Sequence, residues 1–168
     1  LIHLLIVVCS TSICMFLGSG SNDWVELVNI GPTSVSLSGF YLSDERQDLD
    51  KFALPSQILA AGGRVVFDER TGFGFGLSRT GEELVLTFRE GGNLFRVVDE
   101  VRFEGQLPLR TEGRYPDGGA WFVGMKPTPG GGNSGPIASV VLDEIMYRPV
   151  EVEGVPQTTE FLELWNWT

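Results

Sequence analysis

The chain has 168 residues, 42% of them apolar and 11% aromatic, which suits one domain with a core plus appendages and excludes wholesale disorder. The formal net charge is −10, and residues 22–133 contain 16 acidic and 11 basic residues, with no run of Lys or Arg. Because neutralising phosphates requires clustered cations, this composition disfavours DNA binding.

Histidine and cysteine occur only near the start of the chain, as His3, Cys9 and Cys14. Residues 22–133 therefore contain no histidine- or cysteine-based nucleophile pair, no disulfide and no zinc site built from these residues. This distribution predicts a non-enzymatic domain that has no catalytic residues, no metal site and no cofactor.

Residues 1–17 are almost continuously apolar, and the small residues Gly18-Ser19-Gly20-Ser21 follow them. Three interpretations stay open for residues 1–21: a signal peptide, an additional β-strand, or an aberrant start joined to the domain. The apolar run is shorter than the ~20 residues of a spanning helix, so no stable membrane span is expected.

The stretch Trp24–Asn29 alternates, with Val25 and Leu27 on one face and Glu26 on the other. A Gly-Pro turn follows, and Val35 to Ser43 resumes the alternation, so the sequence predicts a half-buried β-hairpin. The segment Trp-Val-Glu-Leu-Val-Asn, followed after the turn by Leu-Ser-Gly-Phe-Tyr-Leu-Ser-Asp, resembles the first part of a lamin tail domain. This family has an immunoglobulin-like β-sandwich fold.

Residues 44–50 form a charged loop with four acidic side chains. Asp44, Asp48 and Asp50 lack the alternating Asp/Asn with Gly of a calcium loop, and nothing in the sequence places two of them across a cleft. The prediction is a solvated loop, with calcium binding as the alternative.

Further segments continue the resemblance in the family's order, and together with the hairpin they cover about 110 residues. They are residues 52–55, 59–67, 76–86, 98–103, 113–118 and 128–133. The alternation predicts a core made of Val25, Leu27, Leu37, Leu54, Val65, Phe67, Leu84, Leu86, Val101 and Phe103.

Two glycine-containing stretches could suggest ligand sites. Phe73-Gly74-Phe75 could stack on a ligand, although a loop tucked onto the edge of the sandwich is the preferred interpretation. The glycine run in residues 127–136 has no following Gly-Lys-Ser/Thr, so it is predicted to be a linker and not a phosphate loop.

The end of the chain repeats its beginning. Phe161-Leu162-Glu163-Leu164-Trp165-Asn166 matches residues 24–29 at a spacing of 137, and residues 141–149 resemble the family's first strand. The predicted organisation is an N-terminal apolar segment (1–21), a lamin tail domain (22–133), a linker (134–139) and the truncated start of a second lamin tail domain (140–168).

The family normally opens with a strand containing Glu-Ile-Met-Tyr, which is missing before Trp24. A sheet lacking its first strand would expose an unpaired edge, which the downstream strand Asp143–Tyr147 could fill.

The resemblance implies an all-β, immunoglobulin-like β-sandwich acting as a non-catalytic structural or binding module. Such a module belongs to a larger protein that is exported to the cell envelope or outside the cell. Its expected partners are a neighbouring lamin tail domain and an unidentified protein or cell-surface component. The alternative is an accessory domain of an exported nuclease, phosphatase or spore-coat-type kinase, and a calcium-dependent adhesive module is a weaker third reading.

Overall fold

The protein is described from a computed structural model that covers residues 4–9, 23–105, 110–137, 140–147 and 160–166. The chain divides into two compact units, Leu1–Gly135 and Pro136–Thr168. The described residues form β-strands and one short helical turn, so the predicted all-β class is confirmed. No described helix is long and apolar enough to cross a membrane.

All paired strands run antiparallel. In the first unit the strands are β1 (Leu4–Cys9), β2 (Trp24–Asn29), β3 (Val35–Ser36), β4 (Phe40–Ser43), β5 (Phe52–Ala53), β6 (Ile58–Leu59), β7 (Arg64–Asp68), β8 (Gly81–Gly91), β9 (Leu94–Glu104), β10 (Thr111–Tyr115) and β11 (Trp121–Met125). The second unit contains β12 (Val140–Met146) and β13 (Phe161–Asn166).

The first unit has two larger sheets. One has five strands in the order β11-β10-β1-β2-β7, and the other has four in the order β5-β4-β8-β9. Strands β3 and β6 form a small separate pair, and β12 pairs with β13 in the second unit. A π-helical turn, Glu69–Phe73, follows β7, and the N–H of Gly74 donates to the carbonyl of Glu69 at 3.0 Å.

Strand β1 is the middle strand of the five-stranded sheet, paired with β10 on one side and β2 on the other. The interpretation of the apolar N-terminal stretch as a strand therefore agrees with the structure for Leu4–Cys9. The expectation of a sheet without its first strand is wrong for the described residues, since β1 fills that position. Residues 10–22 lie outside the described part, and the signal-peptide interpretation stays a prediction.

The hydrophobic core of the first unit draws side chains from both larger sheets. Val25, Leu27 and Phe67 come from the five-stranded sheet, and Leu84 and Phe103 come from the four-stranded one. Across the sheets, the rings of Phe52 and Phe67 lie 5.7 Å apart, edge to face. Nine of the ten predicted core residues are buried; Val65, in the edge strand β7, is half-buried.

Strands β8 and β9 form a long hairpin with 11 residues in each strand. Residues 98–103, one of the segments that carry the resemblance, lie within β9. Irregularities in the pairing at Leu86/Thr87 and Arg89/Gly91 let the long hairpin adjust its register.

Candidate functional site

Glu26 is the most deeply buried acidic side chain among the described residues, with 1% of its surface exposed. It projects from the face of β2 opposite to Val25 and Leu27, because neighbouring residues of a strand point to opposite sides. Alternation predicts a solvated carboxylate there. The structure contradicts this, because every residue of β2 is buried.

The loop 128–133 covers Glu26. Thr128 to Gly131 form a β-turn closed by a 2.9 Å hydrogen bond from the N–H of Gly131 to the carbonyl of Thr128. Proline stands second and glycine third, and Gly130 has φ +76°, which is the type II arrangement. This turn directs the N–H of Gly130 to Oε2 of Glu26 at 2.5 Å. The loop was predicted to be linker, but its residues 128–133 belong to the packed first unit.

Arg64 and Asp117 complete what we call the Glu26 clamp, defined as Glu26, Arg64, Asp117 and the loop 128–133. Nε of Arg64 lies 3.6 Å from Oε1 of Glu26 and donates to the carbonyl of Gly131 at 2.8 Å. The guanidinium also pairs with Asp117, which accepts a 2.9 Å hydrogen bond from the N–H of Asn133. The clamp fixes the segment through which the chain leaves the first unit.

Burial raises the pKa of Glu26 above its ordinary value of 4.5. The N–H of Gly130 and the charge of Arg64 oppose this shift, and Asp117 adds to it. General acids often have a raised pKa. The Glu26 carboxyl group, however, lies beneath the loop 128–133 and accepts a hydrogen bond from it. The geometry supports a role in holding the loop.

Asn29, at the end of β2, is a second buried polar residue whose role alternation does not predict. Its Nδ2 donates to the carbonyls of Thr33, Leu59 and Ala60 at 2.8–3.0 Å, and its Oδ1 accepts from the N–H of Gly31 at 3.0 Å. Asn29 therefore ties its own turn to the turn before β7. The sequence signal for this role is an Asn at the end of a strand, directly before Ile-Gly-Pro.

The charged loop 44–50 is mostly exposed, as predicted, and three of its acidic side chains form ion pairs. Lys51 pairs with Asp44 and Glu45 at 2.7 and 2.8 Å, and these hydrogen bonds raise the pKa of Lys51. Arg89 pairs with Asp50. Asp44 and Asp50 thus bind different cations, and the described residues contain no group of three or more acidic, His or Cys side chains arranged to hold a metal ion.

The outer side of the four-stranded sheet anchors this loop. The guanidinium of Arg89 lies 4.8 Å from the ring centroids of both Tyr41 and Phe95. Oγ1 of Thr87 donates to the carbonyl of Leu49 at 3.0 Å. We call Tyr41, Arg89 and Phe95 the outer-face patch; contact with both rings holds the Arg89 charge beside Asp50.

The loop that contains Phe73-Gly74-Phe75 packs onto the sandwich, which is the interpretation that the sequence favours. Phe73 is buried in the core, and the half-buried Phe75 lies 4.8 Å from it between ring centroids. Lys51 places its Nζ 5.0 Å from the centroid of the Phe75 ring. Phe73 is therefore not available to stack on a ligand.

Exposed apolar side chains concentrate at two other places. Strand β9 is an edge of the four-stranded sheet and exposes Leu94 and Val97. In the second unit, Ile145, Leu162 and Leu164 are all exposed. Large exposed apolar groups on open strand edges are a feature of interaction surfaces.

The hairpins β1–β2 and β12–β13 pair the same end residues, although β12 contains one extra residue, Asp143, at an irregularity between Leu142 and Glu144. The first residue of each leading strand pairs with a closing asparagine, as Leu4 with Asn29 and Val140 with Asn166. The connections have equal lengths, residues 10–23 and 147–160, or 14 residues each. The second hairpin therefore repeats the first in its end pairs and in its connection length, and β13 repeats β2 in sequence.

Comparison with protein-family models, with curated proteins and with solved structures finds no match for this chain.

Proposed function

We propose that the chain is a non-catalytic structural or binding module of the lamin tail type, repeated along a larger exported or cell-surface protein. The observation that carries the proposal is the repetition of β1–β2 by β12–β13. A hairpin that recurs with the same end pairs and the same connection length is the expected start of a second copy of one fold.

The arrangement of the first unit supports an immunoglobulin-like sandwich for that fold. Two antiparallel sheets contribute to one core, and the contact between Phe52 and Phe67 joins them. Short strands separated by turns, with inward-facing residues from both sheets, are characteristic of this architecture.

A non-catalytic role is supported by what the charged side chains do. Glu26, Arg64 and Asp117 hold the loop 128–133, while Lys51 and Arg89 hold the loop 44–50. In each case the partners of the charge are backbone groups or an opposite charge of the same unit, which is how a rigid module fixes its loops. The exposed side chains of β9 and of the second unit supply surface for partners.

The catalytic and DNA-related alternatives are tested directly. The purified chain should hydrolyse neither phosphodiester nor phosphomonoester substrates, and it should not shift duplex DNA in a mobility assay at low salt. At −5 over residues 22–133, the charge repels a polyanion. DNA binding that weakens steeply with added salt would contradict the proposal, and so would hydrolysis lost on mutating an acidic residue of the loop 44–50.

The accessory-domain alternative has the same module beside an exported enzyme. Both versions require export, so the secreted protein should be subjected to N-terminal sequencing. A mature start near residue 22 would support a signal peptide, whereas retention of Leu4–Cys9 would support its place as the middle strand of the sheet.

A further inference from the structure

The connection between β7 and β8, residues 69–80, places three apolar side chains against the core of the first unit. Phe73 and Leu77 are buried members of the hydrophobic cluster, and the half-buried Phe75 packs against it. Gly74 and Gly76, which separate them, are exposed. The connection therefore covers part of the core with alternate side chains.

Two carboxylates hold the second half of this connection. Oδ2 of Asp23 accepts the N–H of Leu77 at 2.7 Å, and Oε1 of Glu82 accepts the N–H of Ser78 at 2.8 Å. Asp23 also holds the first half, because its carbonyl accepts the N–H of Glu69 at 2.9 Å. The two side chains thus bind consecutive backbone groups, so a change in their charge acts directly on the connection.

Other charged groups surround these two carboxylates. They come from the connection itself, from the residue after β4 and from the residue before β5: Glu69, Asp44 and Lys51. Glu69 repels Asp23, while Asp44 and Asp23 repel Glu82. Lys51 attracts Glu82, but its Nζ is already paired with Asp44 and Glu45 at 2.7 and 2.8 Å. Packing residues 69–80 onto the core therefore gathers like charges and removes part of their water.

Burial raises the pKa of Asp23 above its ordinary value of 3.8 and the pKa of Glu82 above 4.5. The hydrogen bonds from Leu77 and Ser78 oppose these shifts without cancelling them. Each carboxyl therefore binds a proton more tightly in the packed arrangement than when it is fully hydrated. By linkage, protonation stabilises the packed arrangement as the pH falls through the raised values, and this gain is lost as the pH rises above them.

We propose that residues 69–80 form a charge-controlled lid on the first unit, held by Asp23 and Glu82. When both carboxyls are ionised, the lid has a measurable open population, in which Phe73, Phe75 and Leu77 leave the core. When both are neutral, the lid stays closed. Opening exposes aromatic side chains that the closed lid keeps in the core. The inference concerns the first unit alone and goes beyond the proposed modular function.

The test is amide hydrogen exchange, measured by NMR on the full chain at about pH 7.5 and about pH 5, both above the isoelectric point of about 4.5. The N–H of Gly74 is the main reporter, because it donates to the carbonyl of Glu69 and not to a titrating side chain. The N–H groups of Leu84 and Leu86, in the interior strand β8, report opening of the whole unit. Rates are compared as protection factors, which removes the intrinsic pH dependence of exchange.

In the unmodified chain, the protection of Gly74 should rise about twofold or more between the higher and the lower pH, relative to Leu84 and Leu86. The double variant Asp23→Asn/Glu82→Gln should raise it about threefold or more at the higher pH and abolish its pH dependence. Each amide keeps an oxygen that accepts the same N–H, so the variant removes the charges and keeps the hydrogen bonds.

The double variant Asp48→Asn/Glu104→Gln is the matched control. It removes the same two charges from exposed positions and should leave the protection of Gly74 within about 1.5-fold. An equal rise in this control would assign the effect to net charge and overturn the proposal. So would an equal rise at Leu84 and Leu86, or an unchanged Gly74 in the Asp23→Asn/Glu82→Gln chain. None of these results involves hydrolysis or DNA binding, so each leaves the proposed modular function standing.

Discussion

Replacing Glu26 by alanine should destabilise the first unit by about 2–3 kcal/mol, although alternation places this residue on a solvent face. The substitution leaves the N–H of Gly130 without its acceptor beneath a packed loop. It also removes one of the two negative charges beside Arg64, whose side chain is only 13% exposed. Both losses fall on the segment that closes the first unit.

The expected loss of stability depends on which interactions Gly130 and Arg64 keep after the substitution. A hydrogen bond to a charged group contributes about 1.5–3 kcal/mol, which sets the loss at Gly130. Breaking a fully buried ion pair costs about 3–5 kcal/mol because it strands a charge. Arg64 is not stranded, since it keeps Asp117 and the carbonyl of Gly131, so the lower range applies. Burying the Glu26 carboxylate also has a desolvation cost, which its raised pKa reflects and which the substitution removes.

Glu26→Gln separates the hydrogen bond from the charge. Glutamine keeps an oxygen that can accept from the N–H of Gly130, so its cost should stay near 1 kcal/mol. Urea unfolding of the three proteins measures the series, with Glu104→Ala, at the exposed end of β9, as a control expected to stay within about 0.5 kcal/mol. A cost below 0.5 kcal/mol for Glu26→Ala, or equal costs for alanine and glutamine, would refute the clamp.

Three other predictions concern the same unit. Leu86→Ala should cost about 2–5 kcal/mol in urea unfolding, because Leu86 is completely buried, whereas Leu94→Ala on the exposed edge should cost under 1 kcal/mol; similar costs would show that the faces are misassigned. Since the pKa of Glu26 is raised, the folded protein binds its proton more tightly than the unfolded chain, so wild type should gain stability relative to Glu26→Gln as the pH falls from neutral towards 4.5; a pH-independent difference in unfolding free energy would contradict this. Deleting residues 136–168 should leave the unfolding free energy of the first unit within about 0.5 kcal/mol, because β1 already fills the position between β10 and β2; a loss above 1 kcal/mol would show that the tail stabilises it.

The core could be predicted from the sequence because it depends on local alternation. Val25, Leu27, Leu84 and Leu86 are all buried as their period-two spacing indicates. Val65 has the same spacing but is half-buried, since β7 lies at the edge of its sheet. Edge and interior strands of a sheet have the same alternation, so a strand's place in the sheet cannot be obtained from spacing.

The clamp could not be predicted, because its partners are far apart in the chain. Gly130 and Glu26 are separated by 104 residues, and only the return of the loop 128–133 over β2 turns an outward-facing carboxylate into a buried one. The Pro-Gly-Gly-Gly composition of that loop predicts a linker, whereas Pro129-Gly130 forms the type II turn that delivers the N–H. The sequence can predict a turn at Pro129-Gly130, but it cannot predict that the turn binds Glu26.

The N-terminal stretch shows a different limit. An apolar run of this length satisfies both a signal peptide and a strand covered on both faces, because each requires continuous hydrophobicity. The structure places Leu4–Cys9 between β10 and β2, where the sheet continues on both sides. Continuous hydrophobicity is therefore consistent with both a signal peptide and a strand, and sequencing the mature N-terminus distinguishes the two.

The two hairpins show that the same strand pattern can occur in two different environments. Glu26 and Glu163, and likewise Asn29 and Asn166, occupy equivalent positions, yet one strand is wholly buried and the other wholly exposed. Nothing within a hairpin requires a carboxylate flanked by two apolar residues; in β2 that arrangement is accounted for by Arg64 on one face and the shared core on the other. Since β2 and β13 share their pattern but not their burial, the burial of Glu26 depends on the neighbours that the fold assembles around β2 and not on the strand's own sequence.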